Sequence, residues 1–488
     1  MALTKGSGFG VASSSGGAAA SGGTITAIAS GTIPNGKPVI LQSDGTVKAV
    51  EGHSTGFGNV ASSSSIQYDI QSNFLTEDKT KIFITWRNGS TMQASVGTVD
   101  GTTLTFGTVN SIGPSSTSYT SSATDGKGNW MCTYHRYNYN DWPYVVCGTF
   151  SDTDTLQIGS ASTLTTVGSS RSSCVYHPGV NKFYIVWSCH NGGFRSFASS
   201  TPNGTSTTFS SADPIDSTSY GNGSYMWYDS THEKIGIIYQ PTSSTTYING
   251  IDLNSSGTAT EGTRYQINNN SDQVFSGCHH SDLGLNVVVY TDKDDSNKSK
   301  LRTFDLNGNT PSSVGTELEV TSGGSFQWDS LGINYSTGTN TVILVFRNYN
   351  DSYYGWVLPV TVSGASTIVV GTPTKHTEAT GLVNPSDSEK YAWDDDNKKL
   401  VYHGTGKGSI WRQAGSNVNA DNFIGIPTTA VANGGSATVT VIGGVSENQS
   451  GLTIGKSYFI NDDGTLSETA TTKPRAGIAI AANKLLIR

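Results

Sequence analysis

The chain has 488 residues, of which only 14% are charged, and its formal net charge is −8. The length allows two domains with cores of their own. The net negative charge and the lack of a Lys/Arg stripe argue against a protein that binds the phosphate backbone of nucleic acid. No apolar run reaches the length of a membrane span, so no membrane insertion is predicted.

The first 23 residues predict a flexible anchor segment. Between Gly6 and Gly23 the chain is mostly Gly, Ser and Ala, a composition that cannot bury enough apolar surface to fold alone. The N-terminus lacks the basic-then-apolar layout of a secretory signal. We therefore expect residues 1–23 to be held by another subunit, in a protein that is assembled in a cytoplasm.

Two similar hairpins lie near the two ends of the chain. An apolar strand, an Asp-Gly turn and a second strand run from Gly36 to Val47, and again from Gly455 to Leu466. Asp-Gly between apolar strands is a strong hairpin signal. Residues 24–51 and 417–488 are therefore predicted to form one small split β-domain, with residues 52–416 inserted into it.

The inserted region repeats a short apolar strand that ends in an aromatic residue. The seven anchor residues are Trp86, Tyr134, Trp187, Tyr239, Tyr290, Phe346 and Tyr402, at spacings of 48, 53, 52, 51, 56 and 56 residues. A period near fifty built on strands is typical of a β-propeller, because each unit exposes an apolar sheet face that only its neighbours can cover. The sequence therefore predicts an all-β protein with a seven-bladed β-propeller.

A small-residue pair follows most anchors and predicts the fourth, outer strand of each blade. The pairs are Gly107-Thr108, Gly159-Ser160, Gly262-Thr263, Gly315-Thr316 and Gly371-Thr372. A glycine within a strand usually marks a bulge or a close approach of another backbone. We therefore expect close packing at these glycines.

The seventh unit is short of one outer strand. The segment from Gly56 to Ser62 resembles the outer strand from Thr105 to Ser111. We predict that it pairs with the strand around Ile410–Arg412 and closes the ring, which would leave only short, protected edges. The segment Asn422–Gly425 also falls at a suitable offset and is the alternative.

Two nearly duplicated loops, in blades two and six, are the predicted ligand site. The site residues are Arg136, Tyr137, Asn138, Tyr139, Asp141, Trp142, Arg347, Asn348, Tyr349, Asp351, Tyr353 and Tyr354. Aromatic rings cover the C–H face of a pyranose, and planar amide and carboxylate groups match vicinal hydroxyls. The alternative is that Asn and Asp form turns while the tyrosines pack the rim.

No motif in the sequence predicts catalysis, and neither a metal nor a cofactor is expected. The chain contains no nucleophile elbow, phosphate loop or zinc helix, and Cys278-His279-His280 matches no zinc spacing. A calcium site at Asp292–Asn297 and a glycoside hydrolase pair of loop carboxylates are the alternatives left open. The five cysteines are predicted to be free and buried, with Cys132–Cys147 and Cys174–Cys189 disulfides as the alternative.

The flanking segments resemble a module of virion appendage proteins of tailed, notably marine, bacteriophages. The residues that carry the resemblance are Ala29–Gly36, Ser43–Thr46, Asn422–Gly425, Ser450–Gly455, Asp463–Leu466 and Ala476–Ala479. The resemblance transfers no catalytic residue. It implies a tail fibre or capsid fibre exposed on the particle surface, forming a homo-oligomer. It also implies binding to other virion proteins through the N-terminal segment and the small β-domain.

The loops and the resemblance together predict a phage adhesin that recognises a host-surface glycan and is not an enzyme. Two other functions stay open at this point. One is a virion-borne polysaccharide depolymerase, and the other is a structural or decoration protein with an inert propeller.

Overall fold

The chain is all-β. The computed structural model describes residues 23–42, 44–53, 55–63, 66, 68–113, 115–136, 142–151, 155–164, 168–189, 193–198, 205–206, 208–209, 213–216, 223–241, 245–295, 298–320, 328–337, 339–348, 354–380, 390–395, 397–404, 406–413, 415–416, 418, 422–461, 463–470 and 474–488. These residues form strands and turns and no helix, so the predicted all-β class is confirmed. None of them forms a helix long and apolar enough to cross a membrane.

The chain divides into two compact units. The larger unit consists of Phe57–Asp395 and Lys399–Trp411. The smaller unit consists of Met1–Gly56, Asp396–Lys398 and Arg412–Arg488. The predicted anchor segment, residues 1–23, lies outside the described residues except for Gly23.

Strands of both chain ends form the smaller unit. The N-terminal strands are β1 (Thr24–Ile28), β2 (Val39–Leu41), β3 (Val47–Ala49) and β4 (Gly52–His53). The central region then begins with β5 (Gly56–Phe57) and β6 (Ala61–Ser62).

The central region contains seven antiparallel sheets in the part of the chain that the structure describes. Sheet 1 is formed by β7 (Tyr68–Phe74), β8 (Lys81–Asn88), β9 (Thr91–Asp100), β10 (Thr103–Phe106) and β11 (Asn110–Ser111). Sheet 2 is formed by β12 (Thr117–Thr124), β13 (Asn129–Arg136), β14 (Trp142–Ser151), β15 (Thr155–Ile158) and β16 (Ser162–Thr163). Sheet 3 is formed by β17 (Ser169–His177), β18 (Lys182–Cys189), β19 (Gly193–Ala198) and β20 (Asp213–Asp216). Sheet 4 is formed by β21 (Gly223–Asp229), β22 (Lys234–Gln240), β23 (Thr246–Leu253), β24 (Ala259–Glu261) and β25 (Tyr265–Asn268).

The last three sheets are also built mainly from strands that follow one another along the chain. Sheet 5 is formed by β26 (Ser271–His280), β27 (Leu285–Asp292), β28 (Lys298–Phe304) and β29 (Leu318–Glu319). Sheet 6 is formed by β30 (Trp328–Ser336), β31 (Thr341–Asn348), β32 (Tyr354–Val362), β33 (Ile368–Val370) and β34 (Thr374–Thr380). Sheet 7 is formed by β35 (Trp393–Asp394), β36 (Lys399–Gly404) and β37 (Lys407–Arg412), with β5 and β6. The first strand of each sheet is called its inner strand below.

The C-terminal strands complete the smaller unit. They are β38 (Gly415–Ser416), β39 (Phe423–Pro427), β40 (Ser436–Thr440), β41 (Val445–Ser446), β42 (Ser457–Ile460), β43 (Leu466–Ser467), β44 (Arg475–Ala481) and β45 (Lys484–Ile487). One sheet has the order β1-β40-β39-β2-β3, and Ile25 faces Val439 across it. Both chain ends therefore share this sheet. A second sheet, β41-β45-β44-β42-β43, contains only C-terminal strands.

The two similar hairpins close with the same turn. Asp44 accepts a hydrogen bond from the amide of Thr46 at 2.9 Å, and Asp463 accepts one from the amide of Thr465 at 2.8 Å. The glycine between them has a positive φ in both turns, which a residue with a side chain rarely adopts. The Asp-Gly signal therefore predicted both turns correctly.

The anchor residues pack the sheets against each other. All seven are buried, each on the second strand of its sheet. Counted over the described residues, seven hydrophobic clusters each join two consecutive sheets. The last cluster joins sheet 7 to sheet 1, where Val401 lies with Ile84. Every sheet thus buries both faces against its neighbours.

The N-terminal segment supplies the outer strands of sheet 7, as predicted. The amide of Gly58 donates to the carbonyl of Ile410 at 2.8 Å, and Ala61 faces Gly408 in register. The alternative segment, Asn422–Gly425, lies instead at β39 in the smaller unit.

The repeated glycines lie at breaks in the outer strands. The amide of Gly107 donates to the Val96 carbonyl at 2.8 Å, between β10 and β11. The amide of Gly371 donates to the Pro359 carbonyl at 2.9 Å, between β33 and β34. A Cβ at either glycine would lie 2.7 Å from that carbonyl oxygen. The sequence placed these glycines within the outer strand, whereas the structure shows that the strand is interrupted there.

Candidate functional site

The structure places the ends of the two predicted loops at equivalent hairpins. Arg136 faces Trp142 at the end of β13 and β14, and Asn348 faces Tyr354 at the end of β31 and β32. Five residues separate the paired positions in each hairpin. The predicted site residues within these connections lie outside the described residues: Tyr137, Asn138, Tyr139, Asp141, Tyr349, Asp351 and Tyr353.

The register shows which residues of the two hairpins are equivalent. Arg136 follows its anchor Tyr134 by two positions, and Asn348 follows its anchor Phe346 by two positions. The cross-strand partners of these anchors are Tyr144 and Trp356. Asn348 therefore occupies in sheet 6 the position that Arg136 occupies in sheet 2.

An aromatic ring and a cation lie together at the end of sheet 2. The ring of Tyr144 stacks on the ring of Tyr134, with centroids 5.8 Å apart and planes at 7°. The guanidinium carbon of Arg136 lies 5.4 Å from the Tyr144 centroid, a distance at which a cation is attracted to the ring face. This packing fixes the orientation of Arg136 at the base of the 137–141 connection.

Sheet 6 holds a similar arrangement at the base of its connection. The Nζ of Lys375 lies 3.8 Å from the centroid of the Tyr354 ring and 6.0 Å from that of Trp356. Lys375 lies on β34, opposite Trp356 in register. Tyr354 was predicted as a site residue, whereas Lys375 and Trp356 were not.

Sheet 4 carries a third arrangement of this kind, which sequence reasoning missed. The rings of Tyr239 and Tyr247 lie 6.1 Å apart, and the guanidinium carbon of Arg264 lies 4.5 Å from the Tyr247 centroid. The Tyr247 hydroxyl donates to Gln266 Oε1 at 3.2 Å. The signal was present in the sequence, because an aromatic residue follows the anchor by eight residues here and by ten in sheets 2 and 6.

The fold does not require an aromatic residue at this third-strand position. In sheet 1 the anchor Trp86 faces Gln93, and its ring N–H donates to Gln93 Oε1 at 3.1 Å. In sheets 3 and 5 the anchors face Arg195 and Lys300. The aromatic pairs of sheets 2, 4 and 6 are therefore not a requirement of the repeat.

The larger unit contains a cavity of about 640 Å³ where its inner strands converge. All seven sheets contribute lining residues, from Ser72 of sheet 1 to Trp393 of sheet 7. In sheet 2 the lining comes from Thr124 and Asp125, at the turn between β12 and β13. Because β13 runs from this turn to Arg136, the cavity lies at the opposite end of the sheet from the predicted loop.

Lys390 ties sheet 7 to two other sheets inside this cavity. Its ammonium donates to the carbonyl of Ser122 at 3.2 Å and also to the carbonyl of Cys174. The Nζ lies 5.8 Å from the centroid of the Tyr225 ring. Burial lowers the pKa of Lys390 to about 8, and the neighbouring Cys174 acts in the opposite direction. Because its ammonium donates to these two backbone carbonyls, Lys390 holds sheets 2 and 3 next to the start of sheet 7.

The cysteines are free and buried, as predicted. Cys132 faces Val146 in register, and Met131 faces Cys147. Cys132 and Cys147 also belong to different hydrophobic clusters. Burial raises the pKa of Cys174 to about 12, which favours the unreactive thiol over the thiolate.

The acidic loop of sheet 5 is neutralised by lysines. Asp295 lies 3.2 Å from Lys298 Nζ and 2.5 Å from Lys300 Nζ. Asp294 accepts a hydrogen bond from Asn270 Nδ2 at 2.6 Å. Within the described part of the chain, no cluster of His, Cys, Asp and Glu side chains has the arrangement of a metal site.

Comparison with known proteins gives structural likeness only. No family model matches the chain, and no curated protein matches it. The BP39L lectin from Burkholderia pseudomallei is similar at a TM-score of 0.49 and 8% identity, over 80% of this chain and 98% of the lectin.

Two further structures are similar at lower scores. The periplasmic gluconolactonase PpgL from Pseudomonas aeruginosa has a TM-score of 0.44 and 11% identity, over 72% of this chain and 95% of its own. A mutant Aleuria aurantia lectin in complex with Fucalpha1-6GlcNAc has a TM-score of 0.42 and 12% identity, over 64% of this chain and 97% of its own.

Proposed function

We propose that the larger unit is a seven-bladed β-propeller inserted into a small split β-domain. Three observations on the described residues support this architecture. Consecutive sheets share hydrophobic clusters, and one cluster joins sheet 7 back to sheet 1. The inner strands of all seven sheets line one cavity. Strands from both chain ends pair in one sheet of the smaller unit.

In this proposal the propeller recognises a host-cell-surface glycan with the loop ends of sheets 2 and 6. The observation that carries the proposal is the pair of equivalent hairpins, each with an aromatic ring and a cation at its base. Tyr and Trp give large contact area with little loss of side-chain entropy. Fixed cations beside the rings can donate to sugar hydroxyls, which have acceptor lone pairs.

The spacing of these hairpins suits a long polymer. In a ring of seven blades, sheets 2 and 6 are separated by three steps along the shorter path, so their loops form separate subsites. The Tyr247 and Arg264 arrangement of sheet 4 adds a third position. Several weak subsites on one polymer raise the overall binding strength through effective concentration.

The chain is further proposed to be a virion protein of a tailed bacteriophage, as a tail or capsid fibre exposed on the particle. The support is the resemblance of residues 24–51 and 417–488 to phage appendage modules, together with the Gly/Ser/Ala tract at 6–23. Other virion proteins would bind the tract and the small β-domain, and the chain would form a homo-oligomer. The host glycan would be bound at the propeller.

A glycan array probed with the purified full chain tests the binding proposal. The double variant Trp142→Ala/Tyr354→Ala should lose binding to a surface polysaccharide that the wild type binds. Val369→Ala, at an exposed position on the outer strand β33 of sheet 6, serves as the control and should bind as the wild type does. Equal binding by the wild type and the double variant would contradict the proposal.

A further inference from the structure

The inner strands carry ring-bearing side chains at one repeated register position. This position faces the residue four places before the anchor on the second strand. In sheets 1 to 6 it is occupied by Phe74, Thr124, Tyr176, Tyr228, His279 and Tyr335. All six residues line the 640 Å³ cavity, and Trp393 of sheet 7 lines it as well. We call the six ring-bearing residues of this set, Phe74, Tyr176, Tyr228, His279, Tyr335 and Trp393, the aromatic rim.

The repeat of the fold does not demand these rings. Thr124 shows that a small polar residue is accommodated at the same position, where its hydroxyl bonds the Phe74 carbonyl. Phe74, Tyr176, Tyr228 and Trp393 are only partly buried. Each ring packs on one side against a hydrophobic cluster between two sheets and also borders the concave site, and apolar and aromatic walls of this kind are typical of ligand pockets.

We propose that the aromatic rim makes this cavity a second ligand site, which takes a neutral mono- or disaccharide end. The cavity volume lies within the range of about 300–1,000 Å³ found for small-molecule sites. Aromatic rings bind the C–H faces of pyranoses, and the hydroxyls of Tyr176 and Tyr228 can accept hydrogen bonds from sugar hydroxyls.

Two amides in the cavity wall supply acceptors for sugar hydroxyls. Asn73 Nδ2 donates to Ser122 Oγ at 2.9 Å, and Asn334 Nδ2 donates to the Tyr391 carbonyl at 3.1 Å. These bonds fix both amides, and each amide oxygen can accept from a ligand. Both asparagines lie one residue before the aromatic rim on their inner strands.

The charges at the cavity are compensated within the protein, which favours a neutral ligand. The Lys390 ammonium is bound by the carbonyls of Ser122 and Cys174. The Asp125 carboxylate accepts from the amides of Lys127 at 2.8 Å and Asn129 at 3.0 Å. Burial lowers the pKa of His279, so its imidazole is neutral near pH 7.

The rim is held in place without a ligand. The Tyr176 hydroxyl donates to Asn181 Oδ1 at 2.7 Å. The Tyr228 ring contacts the His177 ring edge-on at 4.8 Å, and Tyr335 stacks on His280 at 4.0 Å. A site whose side chains are already fixed loses little entropy when a ligand binds.

Saturation-transfer NMR with maltose, cellobiose and lactose tests this site on the full chain. The wild type should transfer saturation to at least one disaccharide, and Tyr228→Ala and Phe74→Ala should each lose most of that transfer. Val369→Ala, at an exposed position on the outer strand β33 of sheet 6, should retain it. Loss of transfer in Tyr228→Ala and Phe74→Ala would place the bound disaccharide in the cavity and not at the loop ends of sheets 2 and 6.

A second measurement keeps the test independent of the variants' folding. In wild-type protein labelled with 5-fluorotryptophan, the ¹⁹F resonance of Trp393, assigned with Trp393→Phe, should shift as the bound disaccharide is added. Three results would overturn the proposal: no transfer to any of the three sugars, unchanged transfer in Tyr228→Ala and Phe74→Ala, or a Trp393 resonance that does not move.

Discussion

The carbonyl of Lys390 accepts a hydrogen bond from the amide of Ser72 at 2.9 Å, although 318 residues separate them. The Ser72 hydroxyl also accepts from the amide of Ala392 at 2.9 Å. Ser72 lies on the inner strand of sheet 1, and Lys390 and Ala392 come directly before the inner strand of sheet 7. These bonds connect the last sheet to the first, so they are where the proposed ring closes.

Replacing Ser72 with valine should weaken this closure. The variant leaves the buried Ala392 amide without its hydroxyl acceptor, which we expect to lower the free energy of unfolding by about 1–3 kcal/mol. Ser162→Val, on an exposed outer strand of sheet 2, is the control and should change it little. Urea unfolding measures both, and equal stability of the two variants would contradict a structural role for the Ser72 bonds.

Lys390 should make the stability depend on pH in one direction. Its pKa is about 8 in the folded chain and its ordinary value is 10.5. Between these pH values the unfolded chain binds more protons at this site, so Lys390 makes the free energy of unfolding rise with pH. In Lys390→Met this contribution is missing.

Burial raises the pKa values of the Cys132 and Cys278 thiols. In both proteins these thiols therefore lower the free energy of unfolding as the pH rises above 9. The test therefore uses the difference in the free energy of unfolding between the two proteins, in which the contributions of these two thiols cancel. The unfolding free energy of the wild type minus that of Lys390→Met should increase from pH 8 to pH 10.5. A difference that stays flat over this range would show that Lys390 titrates normally.

The break in the outer strand of sheet 1 should tolerate only glycine. At Gly107 a Cβ would lie 2.7 Å from the Val96 carbonyl oxygen, so Gly107→Ala should destabilise the chain by about 1–3 kcal/mol. A Cβ at Gly308 would meet no atom within 4 Å, and Gly308 has no positive φ. Gly308→Ala should therefore be neutral or stabilise by about 0.4–1 kcal/mol. Thermal unfolding that ranks the two variants in reverse would refute the close-approach explanation.

The repeated parts of the structure were predictable from the sequence because each copy obeys the same packing rule. The seven anchors had to be buried between sheets, and they are. The pairing of Gly58 with Ile410 was predictable because the N-terminal segment repeats the outer-strand pattern. The Asp44 and Asp463 turns followed from short-range turn chemistry.

The candidate sites were harder to predict because they depend on register. The equivalence of Arg136 and Asn348 emerges only from the strand pairing, since sequence similarity carries no information on which residues face each other across a hairpin. The aromatic rim was missed for the same reason. Tyr176 and Tyr228 acquire a shared position only when each inner strand is paired with its neighbour.

Adsorption of particles carrying Tyr139→Ala/Tyr349→Ala to host cells tests the central claim most directly. Both substitutions fall in the two loop connections, so the proposal predicts that adsorption is lost while particle assembly and the melting temperature of the protein stay nearly unchanged. Val369→Ala particles, altered at an exposed position on the outer strand β33 of sheet 6, should adsorb normally through the loops. Normal adsorption by the double variant would contradict glycan recognition by these loops.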